Sequence, residues 1–167
     1  MSSKPVSRLA DGVEAPPSED NRSPETYLGC DRAERFASSE RLDLNSRRTY
    51  SSPAKLSLNQ WGLKGLWTVG PERASLQSAP GKIVFRFHAR DLHMVLSPSR
   101  DPVRFLVKLD GAEPGDDCGV DFARDGSGVV REPRLYQLIR RKGVVFDRTF
   151  EIDFLNRGIQ GFSLTFG

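Results

Sequence analysis

An all-β fold is predicted: an antiparallel jelly-roll-like β-sandwich with a short N-terminal helical segment and a disordered lead-in. Three observations predict it. Apolar residues recur at every second position after Lys55, turn-forming residues punctuate those runs at short intervals, and no convincing helical period lies between them. Period-two alternation marks strands with one face on a core, and many short strands bury that face by packing as two sheets.

The elements follow in chain order. Residues 1–22 hold few large apolar side chains among Ser, Pro, Asp and Glu. Such a stretch buries too little to offset an ordering cost of about 1–2 kcal/mol per residue, so it is expected to be disordered. Residues 23–54 read as a short helix plus linker. Ser23-Pro24-Glu25 has the chemistry of a helix start, Gly29 of its end, and Asp31 of a second cap for 32–37. A helix this short needs support, so Tyr27, Leu28, Arg35 and Phe36 are the expected docking residues. Ser51-Ser52-Pro53 closes the polar linker.

The sandwich is expected over 55–167. Ile83, Phe85 and Phe87 alternate with Val84, Arg86 and His88; Val103, Phe105, Val107 and Leu109 alternate with Arg104, Leu106 and Lys108. Phe150, Ile152 and Phe154 form a third run, and Phe162, Leu164 and Phe166 a fourth. Ala79-Pro80-Gly81, Ser97-Pro98-Ser99, Asp110-Gly111, Asp125-Gly126, Lys142-Gly143 and Arg157-Gly158 read as the turns between strands. Residues 134–141 are apolar on both faces, which predicts a central strand or one lining a groove or interface.

Composition narrows the function. The 167 residues carry 25 basic and 22 acidic side chains, a net charge of +3 and a pI near 9.1, with mean hydropathy −0.47. Interspersed charge of this kind makes a solvated surface, and nucleic acid is not an expected partner. The N-terminus lacks the basic start and apolar run of a signal peptide, and no stretch reaches the roughly 20 apolar residues of a membrane span. As written, the chain is expected to stay in the compartment where it is made, without inserting into a membrane.

Catalytic constellations are sparse. Cys30 and Cys118 lie far apart and neither belongs to a C-x-x-C pair, so thiol exchange is not expected. His88 and His93 fall on opposite faces of a regular strand, with no third zinc ligand beside them. Asp116, Asp117, Asp121 and Asp125 crowd one loop without EF-hand spacing, and Gly126-Ser127-Gly128 is too short for a hydrolase elbow. No cofactor, metal or catalytic residue is therefore assigned. For ligand binding, Trp61 and Trp67 are either sugar-stacking faces or core anchors. Arg134 with Tyr136 is either a recognition pair or an internal hydrogen bond, and Arg86 and His88 are further groove candidates.

Several segments together carry a family resemblance. SPETYLG, RAERFAS, LNQWGLKGLWTV, IVFRFHARDLHMVLSP, VRFLVKLDG, EPRLYQLIR, DRTFEIDFL and GFSLTFG follow one another in order over residues 23–167. This chain resembles the C-terminal region of DipZ-type thioredoxin-like proteins. The resemblance implies a carbohydrate-binding-module-like sandwich that follows a thioredoxin-like domain and acts outside the cytoplasm. The leading expectation is a non-catalytic accessory module whose groove meets a glycan, a cell-envelope polymer or a thioredoxin-like partner, and the alternative is a domain that braces or dimerises a redox enzyme. The C-x-x-C of the family is missing here, so its redox chemistry maps onto no residue of this chain, which is expected to be either an excised C-terminal piece or a free-standing accessory domain.

Overall fold

Residues whose apolar side chains alternate become the staves of a curled sheet. A computed structural model of the protein describes residues 18–167. Its strands are β1 (Thr26–Tyr27), β2 (Arg47–Tyr50), β3 (Trp61–Val69), β4 (Ala74–Phe87) and β5 (Asp91–Pro98). They continue as β6 (Val103–Leu109), β7 (Ser127–Val130), β8 (Arg134–Arg140), β9 (Arg148–Phe154) and β10 (Ile159–Phe166). Among the described residues the sole helical element is a 3₁₀ turn at Gly115–Asp117.

The strands run antiparallel in the order β7-β6-β9-β4-β10-β5-β8, with β3 and then β2 on β4, and β1 on β10. β4 sets the curvature because it serves two directions. Gly81–Phe87 pairs with β9, while Ala74 and Ser75 pair with β10. The result is one sheet curled into a half-barrel around a shared core. Ile83, Phe85, Phe87, Val103, Phe105, Val107, Phe150, Ile152 and Phe154 all face that core, as their alternation predicts. Each contributes about 1.5–3 kcal/mol by leaving water.

The described structure corrects four expectations. No α-helix forms over 23–37. Thr26 and Tyr27 pair with β10 instead, and Phe36 bridges Trp61. A helix of one or two turns gains little alone, whereas a free strand edge offers backbone donors and acceptors that must be met. Segment 23–54 thus supplies β1 and β2, and the sheet begins before Lys55. Of the expected disordered lead-in, residues 1–17 lie outside the described residues. At its end Arg22 donates its backbone N–H to His88 O at 2.8 Å.

Ala79-Pro80-Gly81 is not a turn between strands. It is a bulge inside β4, opposite Gly65, whose φ of +105° and 2.9 Å clearance from Pro80 O exclude a side chain. In β10, a register shift between Gly161 and Ser163 puts Phe162 on the outer face with Val95 and Leu135, while Leu164 stays inside. The bulge breaks the phase that a strict period of two assumes. Finally β8, apolar on both faces, ends the strand order. Residues 118–121 cover its free edge: Gly119 N–H donates to Leu138 O, and Asp121 accepts from Gln137 N–H. Its second apolar face meets Phe162.

Candidate binding surface

Alternation that buries one face of a strand must present the other. On the side of the sheet made by β2, β3, β4, β10 and β5, the outward residues fall in register. Arg47 stands opposite Thr68, Thr68 opposite Ser75, Ser75 opposite Gln160, and Gln160 opposite Ser97. Their chain neighbours Trp67, Val69, Ala74, Leu76, Ile159 and Leu96 are buried, so the row points away from the core. Gln77 extends it along β4.

Two adjoining hollows of about 310 and 370 Å³ lie over Thr68, Ser75 and Gln160 of this row and share Ser75 and Gln77. Arg73 lines the first; Arg100, Arg157 and Gln160 line the second. Arg47 donates to Gln77 Oε1 at 3.3 Å and Arg73 to Gln160 Oε1 at 3.4 Å. Arg73 also stands 4.9 Å over the ring of Phe162.

Loops hold these arginines in place. The 70–73 turn is clamped by Cys30 N–H on Gly70 O (2.8 Å) and Asp31 N–H on Pro71 O (3.0 Å). Gly29 makes the approach feasible, since a Cβ there would sit 2.3 Å from Pro71 O. On the other side, Ser99 N–H donates to Gly158 O at 2.8 Å and Gly158 N–H to Leu76 O at 3.0 Å. Gly158 has φ +93°, a conformation costly for any other residue. The loops bearing Arg100 and Arg157 are thereby tied to each other and to β4.

The outer face of β4 and β9 has a different chemistry. Lys82 lies between Glu151 (3.0 Å) and Asp153 (3.8 Å), and Arg86 donates to Thr149 Oγ1 at 3.0 Å. Arg86 and Glu151 line a third hollow beside Pro53 and Leu56. His88 Nδ1 meets Asp147 at 2.7 Å, and its backbone N–H donates to Ser23 Oγ.

The other residues singled out in the sequence sit in the interior or in closed contacts. Trp61 and Trp67 are wholly buried, donating from Nε1 to Glu34 O and Lys64 O, both at 2.8 Å. Phe36 meets Trp61 edge-on at 4.8 Å. Tyr136, 1% exposed, donates to Glu132 O at 2.7 Å, and burial raises its pKa. Arg134 stacks 3.9 Å over that ring and pairs with Asp121. Leu28 is core, Tyr27 donates to Glu25 under the guanidinium of Arg32, and Arg35 adopts φ +61° on the way into the bridge to β3. Thus Arg134 and Tyr136 come together, whereas Arg86 and His88 engage Thr149 and Asp147 separately, and neither these nor the tryptophans share a site with that pair.

Ser75, Gln77 and Gln160 were missed by sequence reasoning. Their signal was present, since Ala74-Ser75-Leu76-Gln77 alternates, but reading 79–81 as a turn severed it from the strand that continues through Phe87.

Among the described residues, no three His, Cys, Asp or Glu side chains gather as a metal would require. The crowded aspartates are spent separately: Asp116 on Arg124, Asp117 on Arg141, Asp121 on Arg134 and Asp125 on Ser127. Both cysteines are free thiols. Desolvation, then Asp31 and Asp43, raise the pKa of Cys30, the opposite of what a nucleophilic thiol needs. No helix among the described residues is long and apolar enough to cross a membrane.

No curated protein matches the chain. The family model described as the thioredoxin-like C-terminal domain matches residues 23–167, the whole of the curled sheet with its two N-terminal strands. The chain belongs to the thioredoxin-like C-terminal domain family.

Proposed function

We propose that this domain is a non-catalytic accessory module, of the kind that closes DipZ-type thioredoxin-like proteins, and that it binds a glycan or cell-envelope polymer. The observation that carries the reading is the row Thr68–Ser75–Gln160, which runs across β3, β4 and β10 beneath two shallow hollows, with Arg47 opposite Thr68 on β2. Hydroxyl and amide groups on a rigid sheet suit a chain of sugar hydroxyls laid across the strands, because they fix orientation at little entropic cost. The raised pKa of Cys30 supports a module without thiol chemistry of its own. Calorimetry against a panel of soluble polysaccharides tests the reading. Binding that Ser75→Ala with Gln160→Ala abolishes is expected, and a domain indifferent to every polysaccharide, or one whose binding survives both substitutions, refutes it.

A second reading has its own observation. The β8–β9 loop exposes Val144 (81%) and Phe146 (49%), with the ring of Phe146 flanked by the guanidiniums of Arg141 and Arg148. This apolar tip supports a bracing contact with a thioredoxin-like redox domain outside this chain, or with a second copy. Size-exclusion chromatography, alone and with a separately expressed thioredoxin-like domain, discriminates. Association that Val144→Asp abolishes favours bracing, and a monomer indifferent to the partner disfavours it.

A further inference from the structure

We propose that the polar row selects acidic glycans, polymers whose sugars carry carboxylate, sulfate or phosphate groups; this rests on the glycan reading above and names its substrate class. Four guanidinium groups border the two hollows. Arg100 and Arg157 line one, Arg73 lines the other, and Arg47 reaches Gln77 at their shared wall.

Several arginines elsewhere in the fold are committed to a strand or loop carboxylate. Arg134 pairs with Asp121, Arg140 with Asp91, Arg141 with Asp117 and Arg148 with Asp110. None of Arg47, Arg73, Arg100 and Arg157 has an ion-pair partner among the described residues; the acids at these hollows are Glu72 and Asp101, both exposed at the surface. Four guanidiniums against two carboxylates leave the surroundings of these hollows net positive.

Neutral sugar binding gives no reason for this. Hydroxyls are met by Ser, Thr and amide groups, which the row already supplies, whereas a planar fork of N–H donors matches a carboxylate or phosphate oxygen pair. The two chemistries are interleaved: Arg73 holds Gln160 and Arg47 holds Gln77, so each guanidinium stands beside an amide of the row. A polymer alternating hydroxyl-rich and anionic positions would engage both at once. The loop framework is built for it as well, since the bond from Ser99 to Gly158 brings Arg100 and Arg157 to one hollow from two different loops.

The test titrates the full chain with alginate, polygalacturonate, a sulfated glycosaminoglycan and a polyol-phosphate polymer. Neutral glucans and mannans, and polyglutamate as a sugar-free polyanion, serve as references. Binding is expected with at least one acidic glycan. It should weaken by at least about tenfold in Arg100→Ala with Arg157→Ala, and weaken again as salt rises from about 0.05 to about 0.3 M. Ser75→Ala with Gln160→Ala should abolish glycan binding while leaving any weak polyglutamate binding unchanged. Equal affinity for neutral and acidic glycans, unaffected by the arginine variant, overturns the charge selection and leaves the glycan reading standing. Polyglutamate binding as tight as the best glycan overturns the proposal too, because the hydroxyl row would then contribute nothing. No binding to any polysaccharide overturns both readings.

Discussion

The outer face of β4 and β9 and the outer face running from β2 to β5 share one core and one long strand, yet they treat their polar groups in opposite ways. On the first, Lys82 is held by two carboxylates and Arg86 by a threonine hydroxyl. On the second, hydroxyls and amides line up across the strands, and the bordering arginines lack carboxylate partners among the described residues. A face whose donors and acceptors are satisfied internally has little to offer a ligand. A face whose guanidiniums meet only neutral amides, Arg47 on Gln77 and Arg73 on Gln160, keeps donors and positive charge for something from outside. β4 makes the contrast possible, since its bulge at 79–81 lets one strand contribute Lys82 and Arg86 to one face and Ser75 and Gln77 to the other.

The largest expected effect breaks both faces together. Phe154 is fully buried, pairs across to Gly81 of β4 and Phe105 of β6, and meets the ring of Trp67 edge-on at 6.2 Å. Phe154→Ala should cost about 3–5 kcal/mol through lost burial and the cavity left behind. Chemical denaturation followed by tryptophan fluorescence measures it. One transition, displaced as a whole, is expected; two separate transitions would show that the faces belong to independent units.

Gly158→Ala should separate them. Its φ of +93° disfavours any Cβ, and the added atom would lie 2.7 Å from Ser99 Oγ. A strain of roughly 1–3 kcal/mol is expected, relieved by parting the loops that carry Arg100 and Arg157. Polysaccharide binding should fall well beyond the loss of stability, while amide exchange in β9 and β6 stays as in the parent. Unchanged binding would mean that the arginines need no fixed frame.

The strands were legible where a single period persisted and illegible where a local irregularity shifted it. Ile83, Phe85, Phe87, Phe150, Ile152 and Phe154 face the core as their alternation predicts. Phe162 does not, because the register slip beside it is set by how β10 meets β5, a pairing absent from the local sequence. Likewise Ser23-Pro24-Glu25 has sound helix-start chemistry, yet the open edge of β10 claims Thr26 and Tyr27. The candidate surface was hardest to read. Trp61, Trp67 and Tyr136 draw notice as aromatics but are used for packing, while Ser75 and Gln160 become a row only through the register of strands distant in sequence.

Lys82→Met probes the charged face alone. Lys82, Glu151 and Asp153 are each about one-fifth to one-quarter exposed, so solvent screens their attraction. A loss of less than about 1 kcal/mol is expected, with binding of any polysaccharide unaltered. If that substitution instead abolishes binding, the ligand lies on the β4–β9 face, and the third hollow beside Arg86 becomes the site.

The smallest effect concerns the end of the polar row. Glu40 accepts from Ser51 N–H at 2.7 Å and from Ser51 Oγ at 2.8 Å, closing the loop that contains β2 and Arg47. These bonds, first the backbone N–H and then the hydroxyl, favour the carboxylate and hold its pKa at about 2 against an ordinary 4.5. With the folded value depressed, the stabilisation is fully present above 4.5 and is lost as pH falls through about 2. Amide protection across Arg47–Tyr50, taken relative to the intrinsic exchange rate, should therefore be full above pH 4.5 and fall between there and about pH 2, with the β4–β9 ladder keeping its protection longer. Glu40→Gln should show the lowered protection at every pH, because a neutral amide oxygen accepts more weakly. Protection in β2 that is the same at pH 5 and pH 2 in the parent protein would show the carboxylate to be unclamped.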